Sequence, residues 1–360
     1  GSFDAAEVEP QRREPPLGHR AEQLHIDPVD GAKGAVPPYD DPREKAPPAP
    51  PKTAMHRLGE VQRASLGPYR AQGEEGSLVV FASSGDLGAM LFTQGIFPDG
   101  SPKGAARSIG NMPFETRAMT ATRLGKGFVV SYTSPVGESD AIVSIVLNDD
   151  GKAVGTPIEL VKTPNPISWF QMVTSASGVI LVWAESTANE NASLFALAAD
   201  AHLSPLSVPT RIARNAVSWQ LHETNDGVTL GTISASAAAL GKASSYDIVL
   251  QAIDREGRLK GAPWTLAKDR HPARDLDFSE STGTGFAAWT ELDGGVPRPM
   301  RVVLSPGAKA SEPEVIAAAK GGGRVVSLLK HALLWRDAVS ASRVSWLCRR
   351  LDRFQTGCSS

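Results

Sequence analysis

Apolar residues occur along this chain in short unbroken runs, each introduced by a glycine. The clearest run follows Gly178 and reads Val-Ile-Leu-Val-Trp, ending at Trp183. Such a run cannot divide a helix into an apolar and a polar face, so it predicts a β-strand that is buried on both sides. Similar runs follow the glycines at positions 76, 127, 227 and 285. The five glycines are 51, 51, 49 and 58 residues apart, which indicates a repeating unit built from strands.

Turn-forming residues recur with the same period. Asp99 and Asp149 are 50 residues apart, and so are Asp150 and Asp200. A further acidic and glycine-containing turn covers 254–257. Asp and Gly favour hairpin turns, through side-chain hydrogen bonds and access to positive φ. A proline follows each turn after a few residues, at Pro102, Pro157, Pro205 and Pro263. Because proline cannot donate a backbone hydrogen bond, these positions predict the start of an edge strand.

A strand repeat of this length is typical of the blades of a β-propeller. The predicted fold class is therefore all-β, a β-propeller spanning 53–360, with almost no helix. The strand runs fill six blades, with seven as the alternative if the segment before the first blade holds more strand than its sequence indicates. Residues 53–61 are expected to complete the sixth blade, because an open ring would expose two sheet edges.

The first 52 residues differ from the rest of the chain. They contain 11 of its 27 prolines and few large aliphatic residues. A segment of this composition cannot bury enough apolar surface to offset the entropy of ordering, so we expect a Pro-rich extended, flexible arm or linker. It is either a spacer or a carrier of short partner-binding segments, for which 24–27 and 36–39 are the candidates.

Charge and cysteine content limit the kinds of partner and the cellular location that we expect for the protein. With 37 basic and 39 acidic residues, the chain shows no excess charge that would favour nucleic acid. No apolar run reaches the roughly 20 residues that a transmembrane segment needs. Cys348 and Cys358 are expected to form a disulfide in an exported protein. No cysteine or histidine spacing suits a metal. We therefore expect a periplasmic, outer-membrane-associated or secreted protein, with a lipid anchor upstream of Gly1 as one means of attachment.

Propellers usually bind ligands where the innermost strands begin, around the central channel. The residues that the repeat places there are Glu115, Arg117, Trp169, Trp219, Arg274 and Asp275. Trp169 and Trp219 are 50 residues apart, so they form either a platform for a sugar ring or aliphatic chain, or part of the packing between blades. Asp275 and Asp277 alternate along one strand and give only a weak case for a cation. No catalytic or cofactor-binding motif is found, and neither a cofactor nor a bound metal is predicted.

Over about residues 60–350 the chain resembles the β-propeller repeat proteins that bacteria export, with a loose pattern of Gly, four apolar residues and Trp, then Asp-x-x-Gly, then Pro. The resemblance implies a fold and not an activity, because propellers include binding modules, hydrolases and lyases. The sequence favours a non-catalytic binding or scaffold module of the bacterial cell envelope, with a protein or carbohydrate partner. The alternative is a hydrolase or lyase acting on a glycan, with its site at the mouth of the channel.

Overall fold

The computed structural model of the protein describes residues 64–85, 88–187, 190–224, 227–235, 245–281, 284–305, 310–316, 323–329, 332–340 and 343–350. Every regular element within these ranges is a β-strand, and all strand pairs are antiparallel. The predicted all-β class is therefore confirmed. The described residues include no helix that is long and apolar enough to span a membrane.

The first two sheets each contain four strands in chain order. The first consists of β1 (Ala64–Gln72), β2 (Ser77–Gly85), β3 (Gly88–Ile96) and β4 (Pro102–Met112). The second consists of β5 (Met119–Leu124), β6 (Gly127–Val136), β7 (Ser139–Leu147) and β8 (Ile158–Thr163). Gly127 begins β6 and Pro102 begins the outer strand β4, as the pattern predicted. The prediction is wrong for Pro263, which lies inside the strand Leu259–Arg270 rather than at its start.

The third sheet is larger and contains seven strands in chain order. These are β9 (Ile167–Ser175), β10 (Gly178–Thr187), β11 (Glu190–Ala199), β12 (Thr210–Thr224), β13 (Gly227–Ala235), β14 (Tyr246–Ile253) and β15 (Leu259–Arg270). The fourth sheet holds β16 (Ala273–Ser281), β17 (Thr284–Asp293), β18 (Val296–Leu304) and β19 (Glu314–Val315). The last holds β20 (Gly323–Leu329), β21 (Ala332–Ser340) and β22 (Arg343–Arg350).

The seven-stranded sheet arises because β12 takes part in two successive repeats. Its first part, from Thr210 to Ala216, pairs with β11 as an outer strand. Its second part, from Ala216 to Thr224, pairs with β13 as the first strand of the following repeat. The pairing register breaks next to Asn215, which has a φ of 54°. Asparagine tolerates this left-handed conformation better than most residues, so the chain changes partners here without a loop.

The apolar core lies between consecutive repeats rather than at one centre. Phe170 of β9 and Trp183 of β10 pack with Ile142 of the second sheet, for example. Phe278 and Trp289 of the fourth sheet pack with residues of β13 and β14. Both tryptophans are almost completely buried in second strands, at 1% and 0% exposure, as the run around Trp183 predicted.

The turns between third and fourth strands contact the preceding repeat. The turn containing Gly151 lies against the first sheet, where Thr93 Oγ1 donates to the Gly151 carbonyl at 2.9 Å. Gly257 lies against the backbone of β11, and a Cβ there would be 3.0 Å from the Ala198 nitrogen. These glycines have φ values of 74° and 82°. Each is required by its conformation and by the close approach.

The first strand of each repeat contacts the first strand of the next. The series is β1, β5, β9, the second part of β12, β16 and β20. Sheets arranged side by side in this way, with their first strands adjacent, are those of a β-propeller. The sheets contain four, four, seven, four and three strands, so six blades stays a prediction. The predicted arm at 1–52 and the closing segment at 53–61 lie outside the described residues.

Candidate functional site

The predicted ligand residues lie around one end of the first strands. We call the end at which β5, β9 and β16 begin the upper mouth, and the end at which β1, β5 and β9 finish the lower mouth. The hairpins β6–β7, β10–β11 and β17–β18 lie at the same end as the upper mouth, because they follow strands paired antiparallel with the first strands.

Arg117 lies just before β5 and forms an ion pair with Asp140 of β7. The same carboxylate oxygen, Oδ2, accepts a hydrogen bond from the backbone nitrogen of Ile167 at 2.7 Å. Asp140 is buried, whereas Arg117 is half exposed. The carboxylate therefore joins the start of β5 to the start of β9 and presents a fixed guanidinium at the upper mouth. Glu115 lies two residues earlier in the same loop and is exposed.

Trp169 and Trp219 occupy equivalent strand positions but different surroundings. Trp219 is partly buried against the apolar cluster that includes Val182 and Leu221. Trp169, the third residue of β9, remains 38% exposed. A polar bridge lies two residues farther along, where Gln171 Nε2 donates to Gln220 Oε1 at 2.8 Å. Trp219 therefore contributes to packing, whereas Trp169 has the more open surface. The platform for a sugar ring or aliphatic chain stays a prediction.

Arg274 and Asp275 lie at a break in the pairing of β16. The register between β16 and β17 shifts between Arg274 and Asp277, and Asp275 has a φ of 56°. The Arg274 Nε and Asp275 Oδ2 atoms are 3.6 Å apart, and neither has a hydrogen-bond partner among the residues that the structure describes. Asp275 therefore lies at a β-bulge, where one extra residue interrupts the pairing of β16 with β17.

Asp277 has a structural partner on the neighbouring first strand. Its Oδ1 lies 2.8 Å from His222 Nε2, which joins β12 to β16. The His222 ring also contacts the Phe278 ring edge-on, with centroids 4.6 Å apart. Among the residues that the structure describes, no group of three or more histidine, cysteine or acidic side chains could hold a metal ion.

The strand order keeps the two predicted arginines apart. Arg117 precedes β5 and Arg274 lies on β16, with β9 and β12 between these strands. The upper mouth therefore brings Glu115 and Arg117, in the loop before β5, next to Trp169 on the adjacent strand β9. Trp219 on β12 and the Arg274–Asp275 pair on β16 form a second adjacent group. The predicted disulfide stays a prediction, because Cys358 lies outside the described residues.

Two buried glutamates near the upper mouth were missed from the sequence. Glu185 accepts hydrogen bonds from Trp183 Nε1 and Asn165 Nδ2, both at 2.8 Å. Glu291 accepts one from Trp289 Nε1 at 2.8 Å, and Arg270 binds both of its oxygens. The signal that could have revealed them is the Trp-x-Glu sequence, which occurs at 183–185 and again at 289–291.

No protein-family profile and no curated protein matches this sequence. Solved structures with a similar fold include three with different activities. The β-propeller domain of the trilobed protease of Pyrococcus furiosus is 9% identical, with 81% of this chain and 85% of that chain covered and a TM-score of 0.48. The aldose sugar dehydrogenase of Streptomyces coelicolor is 12% identical, with coverages of 80% and 93% and a TM-score of 0.42. The endo-arabinase of Bacteroides thetaiotaomicron is 12% identical, with coverages of 62% and 89% and a TM-score of 0.32. Similarity at this level assigns none of these activities to the chain.

Proposed function

We propose that the protein is a non-catalytic propeller that binds a glycan at its upper mouth. The observation that carries this proposal is the exposure of Trp169 at the start of β9, whereas its equivalent Trp219 is partly buried and packs against an apolar cluster. An exposed indole beside fixed polar groups suits a sugar ring, whose apolar face stacks on the aromatic surface while its hydroxyls bond to the neighbours. Arg117 and Glu115 supply such groups in the loop just before the adjacent strand β5.

The buried carboxylates of the upper mouth support a binding role over catalysis. Asp140, Glu185 and Glu291 each accept bonds from groups that hold the entry of a first strand. A glycosidase needs one carboxyl group free to donate a proton and a second free to act as base or nucleophile. The oxygens of these carboxylates accept bonds from arginine, indole, amide and backbone N–H donors, which gives the three side chains a structural role.

A titration of the intrinsic tryptophan fluorescence with neutral and acidic oligosaccharides tests this function. We expect saturable binding by the natural protein and its loss in Trp169→Ala. The matched control is Trp219→Phe, which keeps an aromatic ring packed against the cluster of Val182 and Leu221 and should retain binding. The same mixtures are then assayed for new reducing ends and for unsaturated sugar products.

Three outcomes would contradict the proposal in different ways. Release of sugar products would show that the upper mouth is the site of a hydrolase or lyase. Binding that survives Trp169→Ala would place the glycan elsewhere on the molecule. Failure of every glycan to bind, together with capture of a protein that depends on Trp169, would identify a protein partner instead.

We also propose a six-bladed ring in an exported protein of the bacterial cell envelope. Six successive first strands support this count. The last sheet has only three described strands, β20 to β22, which leaves the outer position for residues 53–61. Removal of residues 1–49 should therefore leave the melting temperature nearly unchanged, whereas a chain that begins at Ala64 should melt earlier or aggregate. Equal behaviour of the two shortened chains would overturn this closure.

A further inference from the structure

A cavity of about 650 Å³ opens at the lower mouth, at the other end of β9 from Trp169. Its wall is built by the last residues of four successive first strands, β1, β5, β9 and β12, and by the turns that follow β5 and β9. A volume of this size lies within the range of roughly 300–1,000 Å³ that is usual for small-molecule sites. About half of the lining residues are polar, and they include two arginines, a glutamate and several hydroxyl groups.

Arg70, on the β1 side of this cavity, is held by two uncharged side chains of the described part of the chain. Its Nε donates to Ser77 Oγ at 2.8 Å, and its Nη2 donates to Gln72 Oε1 at 3.0 Å. Among the described residues no carboxylate forms an ion pair with it. The guanidinium is therefore positioned in advance while its charge remains uncompensated, and its Nη1 hydrogens are left for a ligand. A fixed cation of this kind reduces the ordering cost of binding an anion.

The lining contains two other charged side chains, Arg123, which has an ion-pair partner, and Glu223, which has none among the described residues. Arg123 lies in the middle of the wall, on β5, and its charge is balanced by the ion pair with Glu74. Glu223 lies on β12, the last of the four strands, and is exposed. In the described part of the chain it has no ion-pair partner. The cavity thus has a positive group on its first strand and a negative group on its last.

We propose that the lower-mouth cavity binds a small zwitterion, with its carboxylate on Arg70 and its ammonium group on Glu223. Thr122 and Ser175 place hydroxyl groups on the strands between these ends, where they can bond to amides of the bound molecule. An unblocked short peptide combines both charges with such amides. The site uses different residues from the proposed glycan site and lies at the opposite mouth.

Calorimetric titration with unblocked glycine peptides of increasing length tests this site on the full chain. We expect one length to bind best, because only one spans the two charges. The N-acetylated and C-amidated forms of that peptide should each bind at least about tenfold more weakly, the usual effect of losing a charge-assisted hydrogen bond. Arg70→Gln should abolish the preference for a free carboxylate, and Glu223→Gln the preference for a free ammonium group.

The controls use charged residues of a neighbouring cavity. Lys126→Gln and Glu75→Gln alter charges that line a separate space of about 270 Å³ beside the first two sheets, and both should leave peptide affinity unchanged. Arg70 and Glu223 are exposed, so their variants should melt like the natural protein. Trp169→Ala should also leave peptide binding intact, which separates failure at this site from failure at the glycan site.

Two results would overturn the proposal. If no unblocked peptide binds, the lower mouth is not a zwitterion site. If the acetylated peptide binds as well as the free one, or if Glu223→Gln strengthens binding, the cavity recognises an anion alone and the carboxylate of Glu223 only repels it.

Discussion

The indole Nε1 of Trp289 donates a hydrogen bond to Oε1 of Glu291, two residues farther along β17, at 2.8 Å. The same relationship joins Trp183 to Glu185 on β10, also at 2.8 Å. In each case the carboxylate takes a second donor from the segment just ahead of the neighbouring first strand. A buried tryptophan thereby has its polar atom satisfied, and the second strand is fastened to the entry of its own repeat.

Truncation of these tryptophans should be costly. Trp183→Ala and Trp289→Ala should each lower the free energy of unfolding by about 3–5 kcal/mol, because each removes a large, fully buried side chain. Trp169→Ala should cost less, since its side chain is 38% exposed. Urea denaturation measures all three. Equal losses would show that Trp169 is a packing residue and would remove the basis of the glycan proposal.

The two Trp-x-Glu pairs should respond differently to neutralisation of the acid. Glu291 is held by Arg270 through bonds of 2.7 and 2.9 Å, whereas Glu185 is held by the neutral amide of Asn165. Glu291→Gln leaves the partly buried guanidinium of Arg270 without its carboxylate partner and should lower the free energy of unfolding by about 2 kcal/mol. This is less than the roughly 3–5 kcal/mol expected for breaking a fully buried pair. Glu185→Gln keeps an acceptor for the indole and should cost less.

The hydrogen bond to Glu291 raises the pKa of Arg270 above its ordinary value. A raised pKa means that the stabilisation is complete below the unfolded-state value and disappears only as the pH rises above it. The stability difference between the natural protein and Glu291→Gln should therefore stay constant from neutral pH into the moderately alkaline range, as followed by thermal unfolding. A decline in that range would contradict the assignment of the difference to this ion pair.

The turn at Asp200 should give the protein a small acid sensitivity. The backbone N–H of Ser204, assisted by that of His202, lowers the pKa of Asp200. A lowered pKa contributes stability above the ordinary carboxyl value, and this contribution is lost as the pH falls through the lowered value. Asp200→Ala should thus melt earlier than the natural protein at neutral pH, and the difference should shrink below about pH 4.

The matched control for this turn already exists in the chain. Asn148 makes the same two backbone contacts in the second repeat, at 3.1 and 2.9 Å. Asp200→Asn should therefore have the melting temperature of the natural protein at neutral pH. Its melting temperature should lack the decrease at acidic pH that protonation of Asp200 causes in the natural protein. If Asp200→Asn melts as early as Asp200→Ala, the charge rather than the hydrogen bonding holds the turn.

Alanine at Gly257 should be more damaging than alanine at Gly100. Both glycines have left-handed φ values, 82° and 87°, so both substitutions carry a conformational cost of about 1–2 kcal/mol. A Cβ at Gly100 has no neighbour within 4 Å, whereas one at Gly257 meets the backbone of Leu197 and Ala198. The additional decrease in the free energy of unfolding at Gly257, measured by denaturant unfolding, gives the energetic effect of crowding the contact between consecutive repeats. Equal losses would show that this contact adjusts without cost.

Much of the fold could be predicted because its signals are local. The glycine before each apolar run marks where a second strand begins, as at Gly127 and Gly178. The Asp turns were also found, although the second repeat uses Asn148 where the pattern suggested Asp149. These features depend on a few neighbouring residues, so a periodic sequence is enough to locate them.

The partners of the charged side chains could not be predicted in the same way. Asp140 bonds to Arg117 and to Ile167, and Arg70 faces the same cavity as Glu223, across separations that no local pattern encodes. The bulge at Asp275 could not be predicted, because no glycine lies at that position to mark it in the sequence. Sequence placed the candidate site at the upper mouth by analogy with other propellers, and it contained no sign of the cavity at the lower mouth.

The shared strand β12 has a mechanical consequence for the middle of the molecule. Elsewhere the chain passes from one repeat to the next through segments such as 113–118 and 164–166, which can lengthen or be cut without entering a sheet. At Asn215 and Ala216 there is no such connecting segment, because the same strand is hydrogen-bonded first to β11 and then to β13. Tension applied to one of these two repeats passes straight along the backbone into the other. We therefore expect new chain ends or inserted peptides to be tolerated in segments 113–118 and 164–166 but not at Asn215 and Ala216.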